Sequence, residues 1–369
     1  MKILHLYKDY FPVLGGIENY IKVLAEAHAA QGHPVTVLVC NPGWQTRQET
    51  QNGVSIIKAG RLATVASMPL SLAQPLRLVL EQPDIVHLHS PYPLGELANW
   101  LVGRAKATVI THHSDVVRQK NLLRLYGPLL RHVLRAVDCI IATSPRYIQS
   151  SLWLRPVREK CTVVPLGVNI DRFVPGPASR HAPFSILFVG RLRYYKGLDT
   201  LLEALAAVPQ GHLTVVGTGP MQAEWQALAR NLGITRRVDF VGEVDDAMLP
   251  GYYQKADLFV LPANARSEAF GTVLLEAMAS GLPCITTELG TGTSWIVQDG
   301  LTGFVVPPQS PAALTQAILK LVDNEPLRQQ FGQAALARVE SEFSEEMMLE
   351  KVMRVYERVL TAGDAVKDT

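Results

Sequence analysis

The residues with most chemical potential lie in Ser267-Glu268-Ala269-Phe270-Gly271-Thr272-Val273-Leu274-Leu275-Glu276, where seven residues separate two carboxylates. The apolar run at 257–261 reads as a strand, and a helix is predicted to open near Gly271. Exposed amides at a helix start favour an anionic group such as a pyrophosphate. Glu268 stands just before that start and Glu276 about one and a half turns inside it. At a rise of ~1.5 Å per residue the two carboxylates reach different hydroxyls of one elongated ligand. Taken alone, both also suit a solvated loop and helix face.

A second candidate is the stretch 186–197, Ile-Leu-Phe-Val-Gly-Arg-Leu-Arg-Tyr-Tyr-Lys-Gly. Here a strand delivers Arg191 and Lys196 to a strand-to-helix loop. Arginine binds phosphate oxygens in pairs and lysine supplies a point charge, so the two suit a diphosphate. The spacing is not that of an ATP-binding P-loop. Gly15-Gly16-Ile17-Glu18 follows the first strand and opens a helix, which lets backbone approach a ligand closely. Gly217-Thr218-Gly219-Pro220 lacks the third glycine of a dinucleotide fingerprint and reads as a turn. Thr111-His112-His113-Ser114-Asp115 ends another strand, as do His87 and His89. Asp245-Asp246 reads as the cap of a short helix, so no metal site is expected.

The elements that must position these groups alternate from the first residues. Strands are expected at 2–7, 35–40, 84–88, 108–111, 139–142 and 162–164, with a helix from Gly15-Gly16 to about Gln31. After a proline-rich break at 173–183 the alternation restarts, with strands near 185–190, 213–217, 238–241, 258–261, 283–286 and 303–306. Such alternation implies parallel sheets covered by helices on both faces. The fold class is therefore α/β: two Rossmann-like, doubly wound parallel-sheet domains facing each other across a cleft. The expected limits are 1–172, a linker 173–183, and 184–343, with a helical segment 344–369 that packs back on the first domain.

A chain of 369 residues that is 48% hydrophobic and 18% charged fills two cores and is not disordered. The run 1–12 is broken by Lys8 and Asp9, which excludes a signal peptide, and no stretch has the length of a membrane span. Four scattered cysteines, none in a metal or redox spacing, suit a cytoplasmic compartment. Residues 1–175 carry 19 Lys and Arg against 11 Asp and Glu, the remainder 16 against 22. Such asymmetry suits anionic partners other than nucleic acid, for which no motif is present. The stretch 117–136 interleaves leucines with Arg118, Lys120, Arg124, Arg131 and Arg135. It reads either as a basic helix lying on an anionic membrane or as a helix covering its own core.

Together and in this order, these pieces resemble the retaining glycosyltransferases of family 4, which have the GT-B fold. The likeness spans nearly the whole chain: Gly15 to Glu18, Asp84-Ile85-Val86-His87-Leu88-His89, Thr111 to Asp115, Val164-Pro165-Leu166-Gly167-Val168-Asn169, Gly190 to Gly197 and Glu268 to Gly281. It implies transfer of a hexose from a nucleotide-sugar donor to a glycan, lipid-linked or small-molecule acceptor, with no metal or other cofactor. By the same resemblance Arg191 and Lys196 hold the donor diphosphate, with Gly15 and Gly16 completing that site. Glu276 takes the ribose, while Glu268, Phe270, Gly271 and Thr272 meet the sugar and phosphate. His113 corresponds to a histidine beside the reacting sugar, with His112 as the alternative. The catalytic set is thus His113, Glu268, Arg191 and Lys196. The run 287–294 is similar to that of bacterial surface-polysaccharide enzymes, which implies GDP-mannose or a UDP-hexose as donor. Two rivals are a catalytically inactive sugar-nucleotide-binding regulator and an NAD-dependent dehydrogenase. The second needs a glycine fingerprint with an acidic residue about 20 positions on, which is missing here.

Overall fold

The computed structural model describes residues 1–13, 15–65, 68–116, 120–176 and 183–367. The chain divides into two compact units, residues 1–165 with 349–369, and residues 166–348.

Among the described residues, the first unit is built on an eight-stranded sheet. Its strands are β1 (Ile3–Leu6), β2 (Val35–Cys40), β3 (Arg47–Gln51), β4 (Val54–Ala59), then, after the small hairpin β5 (Ala63–Val65) and β6 (Met68–Leu70), β7 (Ile85–Ser90), β8 (Ala107–His112), β9 (Cys139–Ala142) and β10 (Cys161–Val163). The order across the sheet is β10-β9-β8-β7-β1-β2-β4-β3. All neighbours pair in parallel except β3, which returns antiparallel along β4. Strands β1, β2, β7 and β9 are rich in Ile, Val and Leu and buried at every position, as parallel strands covered on both faces must be, with His5, His87 and His89 set among the apolar residues. Helices α1 (Gly16–Ala30), α2 (Ala73–Glu81), α3 (Pro93–Val102), α4 (Lys120–Ala136) and α5 (Pro145–Ser150) connect them.

The β3–β4 hairpin escapes the sequence reading because β3 is Arg-Gln-Glu-Thr-Gln, exposed throughout. It is a polar edge, which discourages pairing with another chain. Its turn is Asn52-Gly53, both with positive φ (49° and 78°), as a two-residue hairpin turn requires.

The second unit carries a six-stranded sheet among the described residues, in the order β13-β12-β11-β14-β15-β16. These strands are β11 (Phe184–Val189), β12 (Gly211–Val216), β13 (Val238–Gly242), β14 (Leu258–Leu261), β15 (Cys284–Thr287) and β16 (Gly303–Val306), all parallel. Its helices are α6 (Leu198–Ala206), α7 (Gln222–Asn231), α8 (Leu249–Gln254), α9 (Thr272–Ala279), α10 (Thr293–Ile296), α11 (Pro311–Val322) and α12 (Glu325–Glu342). The last helix, α13 (Glu345–Lys367), starts in this unit and ends in the first. There Val352, Val355 and Tyr356 are buried, and the Tyr356 hydroxyl lies 2.6 Å from His87 Nδ1.

Three details differ from expectation. The units divide after Pro165, so residues 166–172, expected in the first domain, group with the second. Residues 177–182 of the expected linker lie outside the described residues, but Phe173 is core. It is 4% exposed and packs edge-on against Tyr253 at 5.5 Å. Asp245 and Asp246 do not cap α8, which starts three residues later with Met248 as its N-cap and no side-chain hydrogen bond. Instead, the Asp246 carbonyl accepts from Arg172.

Residues 117–119 of the basic stretch lie outside the described residues. Beyond them Tyr126, Leu130, Val133 and Leu134 are buried, while Arg124, Arg131 and Arg135 are exposed. The described apolar positions are thus spent on the unit's own core. No helix among the described residues is long and apolar enough to cross a membrane.

Phe173 tests the revised boundary. Phe173→Ala is expected to cost about 3–5 kcal/mol of the second unit's stability, as truncation of a buried phenylalanine does. A urea titration showing less than 1 kcal/mol would return this residue to the linker.

Candidate active site

In an open parallel sheet the ligand-facing crevice lies where the strand order reverses. In the second unit that point falls between β11 and β14, whose following loops carry 190–197 and 262–271. The two loops are stitched together. The Asn264 amide donates to Tyr195 O at 2.9 Å, and its side chain donates to Tyr194 O at 3.1 Å. Gly197, at φ 68°, packs so closely on the Pro262 carbonyl that any side chain would strike it. Gly217 and Gly219 press in the same way on the backbone of Gly190 and Leu192. Their role is close packing under the loop.

That packing brings Lys196 and Glu268 together. The ammonium sits 2.7 Å from Glu268 Oε2, and each residue is 8% exposed. Burial pulls the Lys196 pKa down, but the Glu268 carboxylate raises it further, and the net shift is upward. The ammonium lies over Gly190, where a methyl group would stand 3.3 Å from it. Beyond Glu268, Gly271 takes φ 86° and ψ 63° and opens α9 without a side-chain cap. The first amides of the helix are thus available to an anion. Phe270 is buried against Gly292, whose amide donates to Ala269 O at 2.8 Å. Glu276 accepts a hydrogen bond from the Tyr253 hydroxyl at 2.6 Å. Its pKa is raised by burial, against the pull of that bond. Arg191 is exposed and has no ion-pair partner among the described residues.

In the first unit the reversal falls between β1 and β7. Gly15 caps α1 in extended backbone, and a side chain there would meet the Glu18 carboxylate. Glu18 is buried, which raises its pKa against its own backbone hydrogen bond and Lys8. Gly16 has open space where a side chain would stand.

Alternation along parallel strands sends the two adjacent histidines to opposite faces. His5 pairs in register with His87, and His89 with Thr111. The Cβ atoms of His5, His87, His89 and Thr111 therefore point to one face. The His113 amide donates to Ser90 O at 2.9 Å, continuing the ladder, so His113 shares that face and His112 points to the other. The rings confirm it. His89 Nδ1 lies 3.1 Å from His113 Nε2, and His5 Nδ1 lies 3.1 Å from His89 Nε2. His112 is 1% exposed and bonds Asp115 at 3.0 Å, whereas His113 is 8% exposed. Burial lowers the pKa of His5 and His113 to about 3 and of His28 to about 4, with neighbouring histidines adding to the effect. His87 and His89 fall well below the ordinary value for the same reasons.

His5, His28 and Tyr356 escape the sequence reading. His5 stands alone on β1, and His28 and Tyr356 lie on helices, so no spacing within one segment announces them. His5, His87 and His89 bring ring nitrogens within 4.8 Å of one another, a candidate metal group. The fit is poor. His87 is engaged by Tyr356 and Thr111, and His89 by His5 and His113. Among these three, His5 Nε2 alone lacks a partner among the described residues.

The sequence pattern of Glycosyl transferases group 1 matches residues 170–338, and that of Glycosyltransferase Family 4 matches residues 14–172. The chain is 39% identical to the D-rhamnosyltransferase WbpZ of Pseudomonas aeruginosa, over 93% of this chain and 92% of that protein. It is 35% identical to O-antigen chain mannosyltransferase C of Escherichia coli, over 98% and 99% of the two chains. The fold is similar to that of sucrose-phosphate synthase from Thermosynechococcus elongatus, with a TM-score of 0.82 and 24% identity over 98% and 99% of the chains.

Two stability measurements probe this geometry. Removing one partner of a buried ion pair leaves an uncompensated charge, so Lys196→Met or Glu268→Leu alone should cost about 3–5 kcal/mol. The double variant should recover most of that loss in denaturant titrations, and simple additivity would show that the pair is not coupled. The buried histidines set a pH dependence. Their folded pKa values are depressed, so below about 6.5 the unfolded chain takes up protons that the folded one refuses. Stability should fall with falling pH by about 1.4 kcal/mol per unit for each such histidine, down towards pH 3–4. A first unit whose urea midpoint stayed flat from pH 7 to 5 would contradict this.

Proposed function

The chain belongs to the glycosyltransferases of group 1 and family 4, and from that premise we propose a retaining hexosyltransferase that moves a sugar from a nucleotide donor to a glycan or lipid-linked acceptor. The observation that carries the reading is the buried Lys196–Glu268 pair beside the uncapped start of α9, at the point where the strand order reverses. A diphosphate there gains an ammonium and helix-start amides, and Arg191 adds a guanidinium paired with no carboxylate among the described residues. Glu276 accepts from the ribose hydroxyls, held in place by Tyr253. Glu268, Phe270, Gly271 and Thr272 contact the sugar and phosphate. Gly15 and Gly16 supply backbone to the diphosphate.

Chemically, the anomeric C–O bond breaks and its electron pair leaves with the diphosphate. The acceptor oxygen bonds the anomeric carbon on the same face, and the acceptor proton passes to a phosphate oxygen. Positive charge grows on the sugar and negative charge on the leaving group. Cations and amides fixed beside the diphosphate therefore stabilise the transition state more than the ground state. Lys196 and Arg191 perform the charge neutralisation that a divalent metal provides elsewhere, so no metal is required. His113 meets the sugar as a neutral group.

Relatives that transfer D-rhamnose and mannose favour GDP-mannose or a closely related donor, with a UDP-hexose as the second choice. The O-antigen enzyme among them favours a bacterial surface polysaccharide as the product.

A thermal-shift screen against GDP-mannose, UDP-glucose, ADP-glucose and dTDP-glucose tests the donor. A ligand at 100 times its Kd should stabilise the fold by about 2.7 kcal/mol. Lys196→Ala and Glu276→Ala should abolish that shift, His113→Ala should slow turnover while leaving it intact, and EDTA should leave the rate unchanged. Failure of every nucleotide sugar to stabilise the protein would overturn the proposal.

A further inference from the structure

The histidines of the first unit form a chain with a direction. Each neutral imidazole carries one N–H and one bare nitrogen, so His5, His89 and His113 can be linked in only two senses. In one sense His113 Nε2 donates to His89, His89 donates to His5, and His5 is left with an N–H on Nε2. That nitrogen is fully buried and has no partner among the described residues. In the other sense His5 Nδ1 donates to His89 Nε2, and His89 Nδ1 donates to His113 Nε2. The buried end is then only a lone pair, and the last N–H appears on His113 Nδ1, on the least buried of the three rings. Buried N–H groups without an acceptor are rarer than under-used acceptors, so the second sense is favoured.

Packing fixes the rings in that order. His89 stacks on His87 at 4.4 Å and on His113 at 5.4 Å. Tyr20 stands edge-on to both His89 and His113, at 5.8 and 5.2 Å. His87 does not compete for the chain, because Tyr356 and Thr111 hold its two nitrogens at 2.6 Å. A change of tautomer at one ring therefore requires a change at all three.

We propose that His5 and His89 are positioning residues that hold His113 in the tautomer protonated on Nδ1, so that it offers the sugar a fixed, neutral hydrogen-bond donor. The functional half of this rests on the glycosyl-transfer reading; the tautomer does not. An imidazolium at that place would oppose the positive charge growing on the sugar. A bare Nδ1 would accept rather than donate. The relay supplies a donor without the charge.

The test has two arms. In the full-length protein labelled with nitrogen-15 at histidine and free of ligand, two-bond proton–nitrogen correlation spectra should show His113 protonated on Nδ1 and bare on Nε2. The opposite pattern overturns the proposal whatever the enzyme transfers. In the kinetic arm, His89→Phe should lower kcat roughly 10- to 100-fold with the donor KM little changed. His89→Asn, whose amide nitrogen can stand where Nδ1 stood, should restore most of the rate. His89→Phe combined with His113→Ala should be no slower than His113→Ala alone, since both act through one group. Additive losses would make His89 merely structural. Should His89→Phe fail to fold, His5→Phe at the far end should mix the His113 tautomers, and an unmixed spectrum would count against the relay. Loss of the transfer reading would show separately, as wild-type kinetics in His113→Ala.

Discussion

In a doubly wound parallel sheet every strand end points the same way, and consecutive loops part only where the order of strands reverses. This chain meets that constraint twice. Between β11 and β14 it separates two loops just enough to place Lys196 from one against Glu268 from the other. Between β1 and β7 it sets His5 beside His87 in register. Lys196 and Glu268 sit on the loops that follow β11 and β14, whereas His5 and His87 lie within β1 and β7 themselves. The remaining strands and helices hold those four strands in place, and burial of both faces leaves strands such as β14, Leu-Phe-Val-Leu, apolar at every position.

The two units handle charge in opposite ways. The second gathers ionised groups and holds them by pairing: burial pulls the Lys196 pKa down, and the neighbouring Glu268 carboxylate pulls it up. The first gathers ionisable groups and holds them neutral. Burial and mutual repulsion drive five histidines below their ordinary range. The transfer proposed above separates charge, negative on a leaving diphosphate and positive on a sugar. The phosphate end calls for fixed cations, and the sugar end calls for polarity without positive charge.

Much of this was legible in the sequence, and the reasons are physical. Strands such as Val35–Cys40 and Cys139–Ala142 are apolar on both faces, a pattern few loops imitate. Arg191, Lys196, Glu268 and Glu276 stand out through their order along the chain and the family resemblance, since each taken alone also suits a solvated surface. The polar edge β3 was illegible because nothing about Arg-Gln-Glu-Thr-Gln says strand until its partner is known, although Asn52-Gly53 marked the turn. Phe173 was misread because its prolines announce a linker, while Tyr253, its contact, lies 80 residues away. The imidazole chain was hidden for a related reason. Register between β1, β7 and β8 decides which histidines share a face, and register is a property of pairing, not of any one strand.

Glycines at the site separate what the fold demands from what a ligand would demand. A side chain at Gly197 would strike the Pro262 carbonyl, and one at Gly217 the Gly190 carbonyl, so both are accounted for by the fold alone. Both also sit at positive φ, which L side chains resist. Gly15 keeps clear of the Glu18 carboxylate, a flexible neighbour that could yield. Gly16 is different: it is helical, it has no positive φ, and nothing lies within 4 Å of where its side chain would be. A glycine in a helix costs roughly 0.5–1 kcal/mol relative to alanine. At the first position of α1 that cost is smaller than in a helix interior, and with nothing packed against it Gly16 leaves the start of the helix open, a feature that the fold itself does not require.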